Sequence, residues 1–328
     1  MPLVSVIIPN YNHARFLKQR IDSVLEQSFT DFELIILDDC STENSKAIIG
    51  QYHDHACVSH IVYNTVNSGS TFKQWKKGIE LARGKYVWFA ESDDHADPQF
   101  LERLVPLFDR ANDIGLVFCN SHIIDANGDI IGNTNNWGEA YLPTQGSENA
   151  TFFNGYRFCI DHMFLLCRIP NASAVLFSRA LVVKNIHWID ESLMNSGDWK
   201  LWIYIALHAN LVWLNEDLNY FRKHAANVTN AVALLKPEAL YILKEIVNQK
   251  KTGSRYRLFE SIGFWSFNSS AWSQDPKYNA LNFGHYFKNN ISVASVFYLF
   301  IFLLKRSVLF LKTMLTGKSR PAAVNLEL

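Results

Sequence analysis

The chain has 328 residues, and its 31 Lys and Arg residues balance its 31 Asp and Glu residues, so the formal net charge is zero. Without a basic excess, we expect no nucleic-acid partner. Apolar residues make up 48% of the sequence but charged residues only 19%, against about 25% in average globular domains, so we expect apolar surface outside the core.

Strand and helix patterns alternate over the first 90 residues. In chain order, we predict a strand at 3–8, a helix at 14–27, a strand at 33–37, a helix at 43–53, a strand at 61–63, a helix at 72–82 and a strand at 86–90. Short apolar strands separated by amphipathic helices are typical of an α/β fold. The alternation therefore predicts a mostly parallel central sheet flanked by helices.

Polar and acidic side chains follow three of these strands. The first strand is followed by Pro9, Asn10, Tyr11 and Asn12, and the second strand is followed by Asp38 and Asp39. The strand at 86–90 is followed by Glu91, Ser92, Asp93 and Asp94. In such sheets ligands bind beyond the carboxyl ends of the strands. Carboxylates crowded at one edge repel each other unless a cation lies among them, and Mg²⁺ or Mn²⁺ takes oxygen ligands of this kind. The alternative is that these residues only cap helices or form turns.

The middle of the chain has a different character. We predict a strand at 115–119, a hairpin turn at 125–129 and a long loop at 132–155, followed by an apolar segment at 172–183. A helix then begins near Gly197, and a strand covers 211–214. Asp198 lies at the start of that helix, where simple capping is the alternative to a chemical role.

The C-terminal third contains a predicted helix at 237–250 and a strongly apolar stretch at 291–304, which is too short to span a bilayer. Lys305, Arg306 and Lys312 follow it. This pattern predicts that 291–315 forms a helix lying against a membrane surface, with the basic residues near anionic headgroups. The alternative is a helical hairpin packed on the rest of the chain, or a dimer interface.

Cysteine usage and the N-terminus favour a cytoplasmic protein. The five cysteines are scattered and odd in number, which fits neither a disulfide framework nor a paired zinc site. The chain starts directly with a strand pattern and lacks the features of a signal peptide. A dinucleotide-dependent oxidoreductase is set aside because Pro-Asn-Tyr-Asn-His-Ala follows the first strand where a Gly-x-Gly-x-x-Gly loop would be needed.

Five short motifs follow one another along the first part of the chain. They are Val4-Ser5-Val6-Ile7-Ile8-Pro9-Asn10-Tyr11-Asn12, Leu37-Asp38-Asp39-Cys40-Ser41-Thr42, Asn67-Ser68-Gly69, Ala82-Arg83-Gly84-Lys85-Tyr86 and Glu91-Ser92-Asp93-Asp94. Over residues 2–230 the sequence thereby resembles the family 2 glycosyltransferases of the GT-A fold. The resemblance implies a catalytic domain at 1–230, with a nucleotide-sugar-binding half at 1–120 and an acceptor half at 121–230. A helical C-terminal extension follows at 231–328.

The resemblance also implies roles in donor binding. The residues expected to contact the nucleotide sugar are Pro9, Tyr11, Asn12, Asp38, Asp39, Asn67, Gly69, Glu91, Ser92 and Asp93. Glu91-Ser92-Asp93 stands at the DxD motif, whose last acid binds a metal, here Mn²⁺ or Mg²⁺. Because the first acid is Glu, Asp93 is the firmer assignment. His224 resembles a late histidine that helps to hold the metal or the diphosphate.

The remaining assignments concern the acceptor. Asp198 matches the position of the family's general base, and Trp137 and Trp199 are candidate acceptor contacts. Trp75 and Trp88 are expected in the core. The sequence departs from the family pattern at Gln74-Trp75-Lys76, where many relatives carry Arg-Asn.

Together these features predict an inverting, metal-dependent hexosyl- or N-acetylhexosaminyltransferase. It would move sugar from a nucleotide-diphosphate sugar, with UDP favoured, to a saccharide acceptor. The acceptor is expected to be lipid-linked and to belong to cell-surface polysaccharide synthesis, with the enzyme cytoplasmic or peripheral on the inner face of the membrane. The alternatives are a soluble or protein acceptor, and a nucleotide-sugar-binding module without catalysis.

Overall fold

The computed structural model describes residues 1–111, 113–134, 149–164, 167–169, 171–225, 227 and 232–248. The chain divides into two units. The first contains Met1–Met163 and Cys167–Asn227, and the second contains Phe164–Leu166 and Val228–Leu328. The domain boundary that the sequence analysis places between residues 230 and 231 stays a prediction.

The first part of unit one alternates strands and helices as the sequence predicts. Its elements are β1 (Val4–Asn10), α1 (Ala14–Leu25), β2 (Phe32–Asp38), α2 (Ser45–Gly50), β3 (Val58–Tyr63), α3 (Thr71–Leu81) and β4 (Tyr86–Phe89). β1 pairs in parallel with β2 and with β4, and β2 pairs in parallel with β3. The carboxyl ends of these strands therefore meet at one edge of the sheet.

The second part of unit one extends the same sheet. Its elements are β5 (His95–Ala96), α4 (Phe100–Leu104), β6 (Ile114–Ile124), β7 (Ile130–Asn133), β8 (Ala150–Phe153), α5 (Gly155–Phe158), β9 (Val175–Ser178), α6 (Arg179–Val183), α7 (Gly197–His208) and β10 (Asn210–Arg222). Within the described residues the strand order is β3-β2-β1-β4-β9-β6-β10-β5, with β7 beside β6 and β8 beside β10. β9 is antiparallel to both β4 and β6, so the sheet is parallel in its first half and mixed beyond β4.

Two predicted boundaries in this second part are wrong. β8 lies inside the predicted loop, because a four-residue strand is specified by its antiparallel partner β10 rather than by a local pattern. β10 continues to Arg222, eight residues beyond the predicted end, although it contains polar residues such as Asn219. Asn219 is buried, and its side-chain amide donates to Ser121 Oγ at 3.0 Å, which offsets the cost of burying it.

The core forms where the apolar faces of the helices meet the sheet. On α1 the buried apolar positions Phe16, Leu17, Ile21 and Val24 recur at helical spacing, as the pattern predicts. Trp75 and Trp88 are both buried, which confirms their expected place in the core. Trp75 stacks on Phe89 of β4, with ring centroids 4.0 Å apart, so α3 lies against the strand that leads to the acidic loop.

The turn before β4 depends on a glycine. The backbone N–H groups of Arg83 and Gly84 donate to Ser5 Oγ at 3.1 and 2.8 Å, and Arg83 N–H also donates to buried Glu33 at 2.7 Å. A Cβ atom on Gly84 would lie 2.5 Å from the backbone nitrogen of Ser5. Only glycine allows the chain to come this close to β1, which gives a physical reason for the Ala-Arg-Gly-Lys-Tyr motif.

The described part of unit two contains the helix α8 (Val232–Asn248), which starts five residues before the predicted helix at 237–250. In the described ranges, none of the helices combines the length and apolar character needed to cross a bilayer. Residues 291–315 lie outside the described residues.

The close approach at Gly84 predicts a large effect of a small substitution. Gly84→Ala should lower the free energy of unfolding by about 1–3 kcal/mol, because backbone atoms of Ser5 would have to move. Gly50→Ala is the matched control, since its Cβ would meet no atom within 4 Å, and it should leave stability within about 1 kcal/mol of the parent. Urea denaturation monitored by tryptophan fluorescence measures both. Equal midpoints for the two variants would contradict this account of the turn.

Candidate active site

The carboxyl ends of β1 and β2 carry the first group of predicted site residues. Asn10 lies opposite Asp38 in the parallel register, and its side-chain amide donates to Asp38 Oδ1 at 2.8 Å. The backbone N–H of Ser41 donates to Asp38 Oδ2 at 3.0 Å. Asp38 is fully buried, so its carboxylate ties the two strand ends together from inside.

The loop after β1 closes over this pair. Pro9 is buried within β1, whereas Tyr11 is 44% exposed. Asn12 has a φ of 58°, a left-handed conformation that asparagine tolerates, and its side-chain oxygen accepts from the Thr42 N–H at 2.9 Å. Tyr11 is therefore held on a constrained loop with its ring accessible to solvent.

Asp39 is the centre of a second, separate network. Its carboxylate accepts from Asn64 Nδ2 at 2.6 Å, from Ser68 Oγ at 2.7 Å and from Gln74 Nε2 at 2.9 Å. These donors are all uncharged. Asp39 is thus held by amide and hydroxyl groups, and Gln74, the departure from the family pattern, supplies one of them.

Asn67 and Gly69 shape the segment that leads into α3. Asn67 Nδ2 donates to the Asp39 carbonyl oxygen at 3.2 Å, and the Gly69 N–H donates to Asn67 Oδ1 at 2.6 Å. Gly69 has a φ of 74°, where a side chain would be strained. Both residues therefore lie beside Asp39, at the same strand ends as Asn10 and Asp38.

Glu91 begins the acidic loop that follows β4. Its Oε1 accepts a hydrogen bond from the indole N–H of Trp75 at 2.7 Å. Burial raises the pKa of Glu91 to about 8, and the neighbouring carboxylates of Asp93 and Asp94 act in the same direction. Glu91 is therefore largely protonated at neutral pH, unlike an ordinary surface glutamate.

Asp93 faces two histidines that come from opposite ends of unit one. Its Oδ2 lies 3.0 Å from His224 Nε2 and accepts from Asn227 Nδ2 at 3.2 Å. Burial alone would raise its pKa, but the hydrogen bond from His224 and the electrostatic interactions with His13 and His224 hold the pKa of Asp93 below its usual value. Donor atoms of His13, Asp93 and His224 all lie within 4.8 Å of one another, so the three side chains could hold a metal ion together.

Asp94 points away from that cluster into a buried polar network. It accepts from Ser173 Oγ at 2.7 Å and Asn171 Nδ2 at 2.9 Å through Oδ2, and from the Arg222 N–H at 2.9 Å through Oδ1. Burial and the charge of Asp93 raise the pKa of Asp94. Asp94 therefore anchors the loop, and Asp93 is the acid turned toward the histidines.

Two buried arginines offset the acidic charge of the loop. Arg20 of α1 donates from Nε to the Glu91 carbonyl oxygen, and Arg222 of β10 donates from Nε to the Asp93 carbonyl oxygen, each at 2.8 Å. Burial lowers the pKa of Arg20 to about 10 although the three nearby acids oppose the shift, so Arg20 remains cationic at neutral pH. Burial also lowers the pKa of Arg222, and the charges of Asp93 and Asp94 oppose the shift. Protein groups thus supply part of the positive charge that the sequence analysis assigned to a metal.

Asp198 is the second residue of α7, whose first two turns approach residues of α3. A Cβ on the preceding Gly197 would lie 2.6 Å from the ring of Phe72, and Trp202, one turn after Asp198, lies 6.3 Å from Trp75. Because Trp75 also bonds to Glu91, a short chain of side chains connects the start of α7 to the acidic loop. Asp198 itself is partly exposed, and one of its carboxylate oxygens accepts from the Trp199 N–H at 2.7 Å.

Of the two candidate acceptor contacts, Trp199 and Trp137, the structure describes only Trp199. Trp199 is only 4% exposed, and its indole N–H donates to the Met163 carbonyl oxygen at 2.7 Å, so its ring faces the interior. This position does not favour a direct contact with an acceptor. Trp137 lies outside the described residues.

Seven residues that contribute to this site were not predicted from the sequence. They are His13, Arg20, Asn64, Asn171, Ser173, Arg222 and Asn227. Only His13 carried a usable signal, since it directly follows the Pro-Asn-Tyr-Asn motif at a strand end. The two arginines look like surface residues in the sequence, and nothing local indicates that they are buried beside three acids.

The sequence of the chain is similar to those of known glycosyltransferases. The sequence model of glycosyl transferase family 2 matches residues 5–172. An uncharacterized glycosyltransferase of Nostoc sp. is 30% identical over 232 residues, which cover 68% of this chain and 66% of that protein. A putative teichuronic acid biosynthesis glycosyltransferase of Bacillus subtilis is 42% identical over 102 residues, covering 31% of this chain and 40% of that protein. Each of these matches spans less than two thirds of the relative's length.

Solved structures show a shared fold. TarS 1–349 of S. aureus in complex with UDP-GlcNAc has a TM-score of 0.61 at 18% identity, covering 92% of this chain and 80% of that one. The mannosyltransferase PcManGT of Pyrobaculum calidifontis, in complex with GDP-Man and Mn²⁺, has a TM-score of 0.59 at 14% identity, covering 94% and 81%. The likeness confirms the predicted GT-A architecture.

The raised pKa of Glu91 predicts how stability depends on pH. Its ordinary pKa is 4.5 and its folded-state pKa is about 8. Between these values the folded protein holds a proton that the unfolded chain releases, so this group lowers stability as pH rises. Glu91→Gln keeps an oxygen that can accept from Trp75 but cannot ionise. With chelator present, the variant should become increasingly more stable than the parent from pH 5 to pH 8.

Urea midpoints at several pH values measure this difference. Glu80→Gln, a change of the same kind at an exposed position on α3, is the control and should follow the parent at every pH. A stability difference between Glu91→Gln and the parent that is constant with pH would show that Glu91 titrates normally.

Proposed function

The chain belongs to glycosyl transferase family 2, and we propose that it transfers a sugar from a nucleotide-diphosphate sugar to a saccharide acceptor, with inversion at the anomeric carbon. The observation that carries the proposal is the cluster of Asp93 with two imidazoles, beside strand ends whose loops are built around Asp38 and Asp39. The proposed metal ligand Asp93 thus lies at the same edge as a set of polar loops, which supports transfer from a charged donor.

Donor binding is proposed at the strand ends of β1, β2 and β4. Tyr11 offers an exposed ring, and Asn12, Asp39, Asn67 and Gly69 form a surface whose hydrogen bonds fix the loops before a ligand arrives. The carboxylate oxygens of Asp39 are hydrogen-bond acceptors, so they can accept from N–H groups of a base. Solved structures of the same fold are complexes with UDP-GlcNAc and with GDP-Man, which supports a nucleotide-diphosphate sugar, and we propose the UDP-linked form that the sequence analysis favoured.

A divalent ion fits the donor atoms around Asp93. Asp93 Oδ2 and His224 Nε2 are 3.0 Å apart. Two neighbouring ligands of an octahedral ion at about 2.1 Å are about 3.0 Å from each other, so an ion could replace the hydrogen bond without moving the side chains far. We propose Asp93 and His224 as protein ligands of Mn²⁺ or Mg²⁺. When bound, such an ion stabilises the charge that develops on the departing diphosphate.

Glu91 and Ser92 are proposed to assist donor binding beside Asp93. A protonated Glu91 is a hydrogen-bond donor as well as an acceptor, so it can contact a ribose hydroxyl without adding a third negative charge beside Asp93. The Ser92 hydroxyl lies 2.8 Å from His13 Nδ1, which fixes the middle of the motif. The loop therefore presents one ionised acid to the metal rather than three.

Asp198 is the proposed general base. An inverting transfer is a single displacement, in which a base takes the proton of the acceptor hydroxyl. Asp198 is partly exposed and lies on a different element from Asp93, so the base and the metal ligand are separate groups. We place the acceptor at the start of α7 for this reason.

The acceptor is proposed to be a lipid-linked saccharide in cell-surface polysaccharide synthesis, and the enzyme to act in the cytoplasm or on the inner face of the membrane. This rests on the similarity to the putative teichuronic acid biosynthesis glycosyltransferase of Bacillus subtilis and on the sequence of residues 291–315. The alternatives remain a soluble or protein acceptor, and a binding module without catalysis.

Asp198→Asn tests the catalytic assignment. Release of UDP from a panel of UDP-sugars, with water as acceptor and Mn²⁺ present, should fall by about 10²- to 10⁴-fold, because the base is lost. Thermal stabilisation by UDP with Mn²⁺ should stay at the parent level, since donor binding does not use this residue. Asp109→Asn, at an exposed position, is the control. Unchanged release by a folded Asp198→Asn variant would show that another group acts as the base, and absence of release by the parent would favour the non-catalytic alternative.

A separate experiment tests membrane contact. The full chain should sediment with vesicles that contain anionic lipid and not with neutral vesicles, because Lys305, Arg306 and Lys312 lie close to the apolar stretch. Replacing these three residues with glutamine should move the protein to the supernatant. Equal recovery in the supernatant with both vesicle types would refute the membrane proposal.

A further inference from the structure

His13 is a titratable side chain at the site whose role is still unassigned. It precedes α1 directly, in the loop that leaves β1, and its side chain makes no capping hydrogen bond to the helix. Its ring instead turns toward the acidic loop, where Nδ1 lies 2.8 Å from Ser92 Oγ. The start of α1 therefore does not explain the orientation of the His13 ring.

The ring is also fixed relative to His224. The two imidazoles meet edge to face, with centroids 5.5 Å apart and an interplanar angle of 89°. Phe16 packs against both rings, at 6.4 Å from His13 and 5.0 Å from His224. The positions of both imidazoles are thus set by packing before any ligand binds.

We propose that His13 is a third protein ligand of the ion at Asp93, and that the second imidazole makes this site select first-row transition ions over Mg²⁺ and Ca²⁺. The inference rests on the proposed function, in which Asp93 and His224 hold the ion. The supporting geometry is that donor atoms of all three side chains lie within 4.8 Å of one another.

The hydrogen bond to Ser92 fits a ligand role. A metal-bound histidine commonly gives its other ring N–H to an oxygen acceptor, which sets the tautomer and the ring orientation. With Nδ1–H donating to Ser92 Oγ, the lone pair of His13 lies on Nε2 and is available to an ion. Ser92, the middle residue of the acidic motif, thereby acquires a function as the residue that orients His13.

The donor set determines the selectivity. Two imidazole nitrogens and one carboxylate oxygen suit Mn²⁺, Fe²⁺, Co²⁺ and Zn²⁺, whereas Mg²⁺ and Ca²⁺ prefer oxygen ligands and retain water. With His224 alone, the site would hold one nitrogen and discriminate less. His13 is therefore the residue that should control which ion occupies the site.

Metal titrations by calorimetry test the proposal without any measurement of activity. Mn²⁺, Co²⁺ and Mg²⁺ are each titrated into the full chain, alone and with UDP. The parent should bind Co²⁺ and Mn²⁺ more tightly than Mg²⁺. In His13→Gln the affinities for Co²⁺ and Mn²⁺ should fall about 10- to 100-fold, while that for Mg²⁺ should change by less than about threefold. The visible absorption of bound Co²⁺ should also change, because it reports the number of nitrogen ligands.

Controls separate the possible failures. His53→Gln alters an exposed histidine elsewhere and should bind all ions like the parent, and His13→Ala gives a second variant if His13→Gln folds poorly. Unchanged ion selectivity in folded His13 variants would overturn this inference and leave the proposed function intact. Failure of the parent to bind any of the ions would overturn both, and Asp93→Asn should show that same failure if the proposed function is right.

Discussion

Three carboxyl groups within four residues, at Glu91, Asp93 and Asp94, create the repulsion around which the site is arranged. Left in one environment, such groups could not all ionise, and the loop after β4 would be unstable. The fold separates them instead. Burial keeps Glu91 largely protonated, Asp94 turns into a buried network of neutral donors, and Asp93 alone faces the histidines. Arg20 and Arg222 donate to the loop backbone, at the carbonyl oxygens of Glu91 and Asp93.

This division has a functional consequence. The single acid with a lowered pKa is the one that faces a potential metal position, while the acids on either side have raised pKa values. At neutral pH Glu91 is therefore largely neutral, whereas Asp94, with a pKa of about 6, remains largely ionised but points into its own buried network.

Helix α3 connects the separate parts of the site. Three consecutive residues on it reach three different groups: Gln74 donates to Asp39, Trp75 donates to Glu91, and Lys76 forms an ion pair with Glu191 at 2.7 Å in the segment that precedes α7. Because successive helical positions are rotated by about 100°, one short helix can contact the loop around Asp39, the acidic loop and the segment before α7 together. The three residues at which the sequence departs from the family pattern therefore make the contacts that connect these segments.

The sequence by itself determined the αβ alternation of the first 90 residues, the family resemblance and the positions of Asp38, Asp39, Asp93 and Asp198 on the chain. It could do so because helix and strand periods and strand-end residues are local properties, read over a few positions. Only the tertiary structure decided which of these acids share an environment. It separated Asp38 and Asp39 from Asp93, buried Trp199, and brought His13 and Arg222 to one loop from more than 200 residues apart. Burial and distant charges set the ionisation of a group, and neither is encoded in its neighbours along the chain.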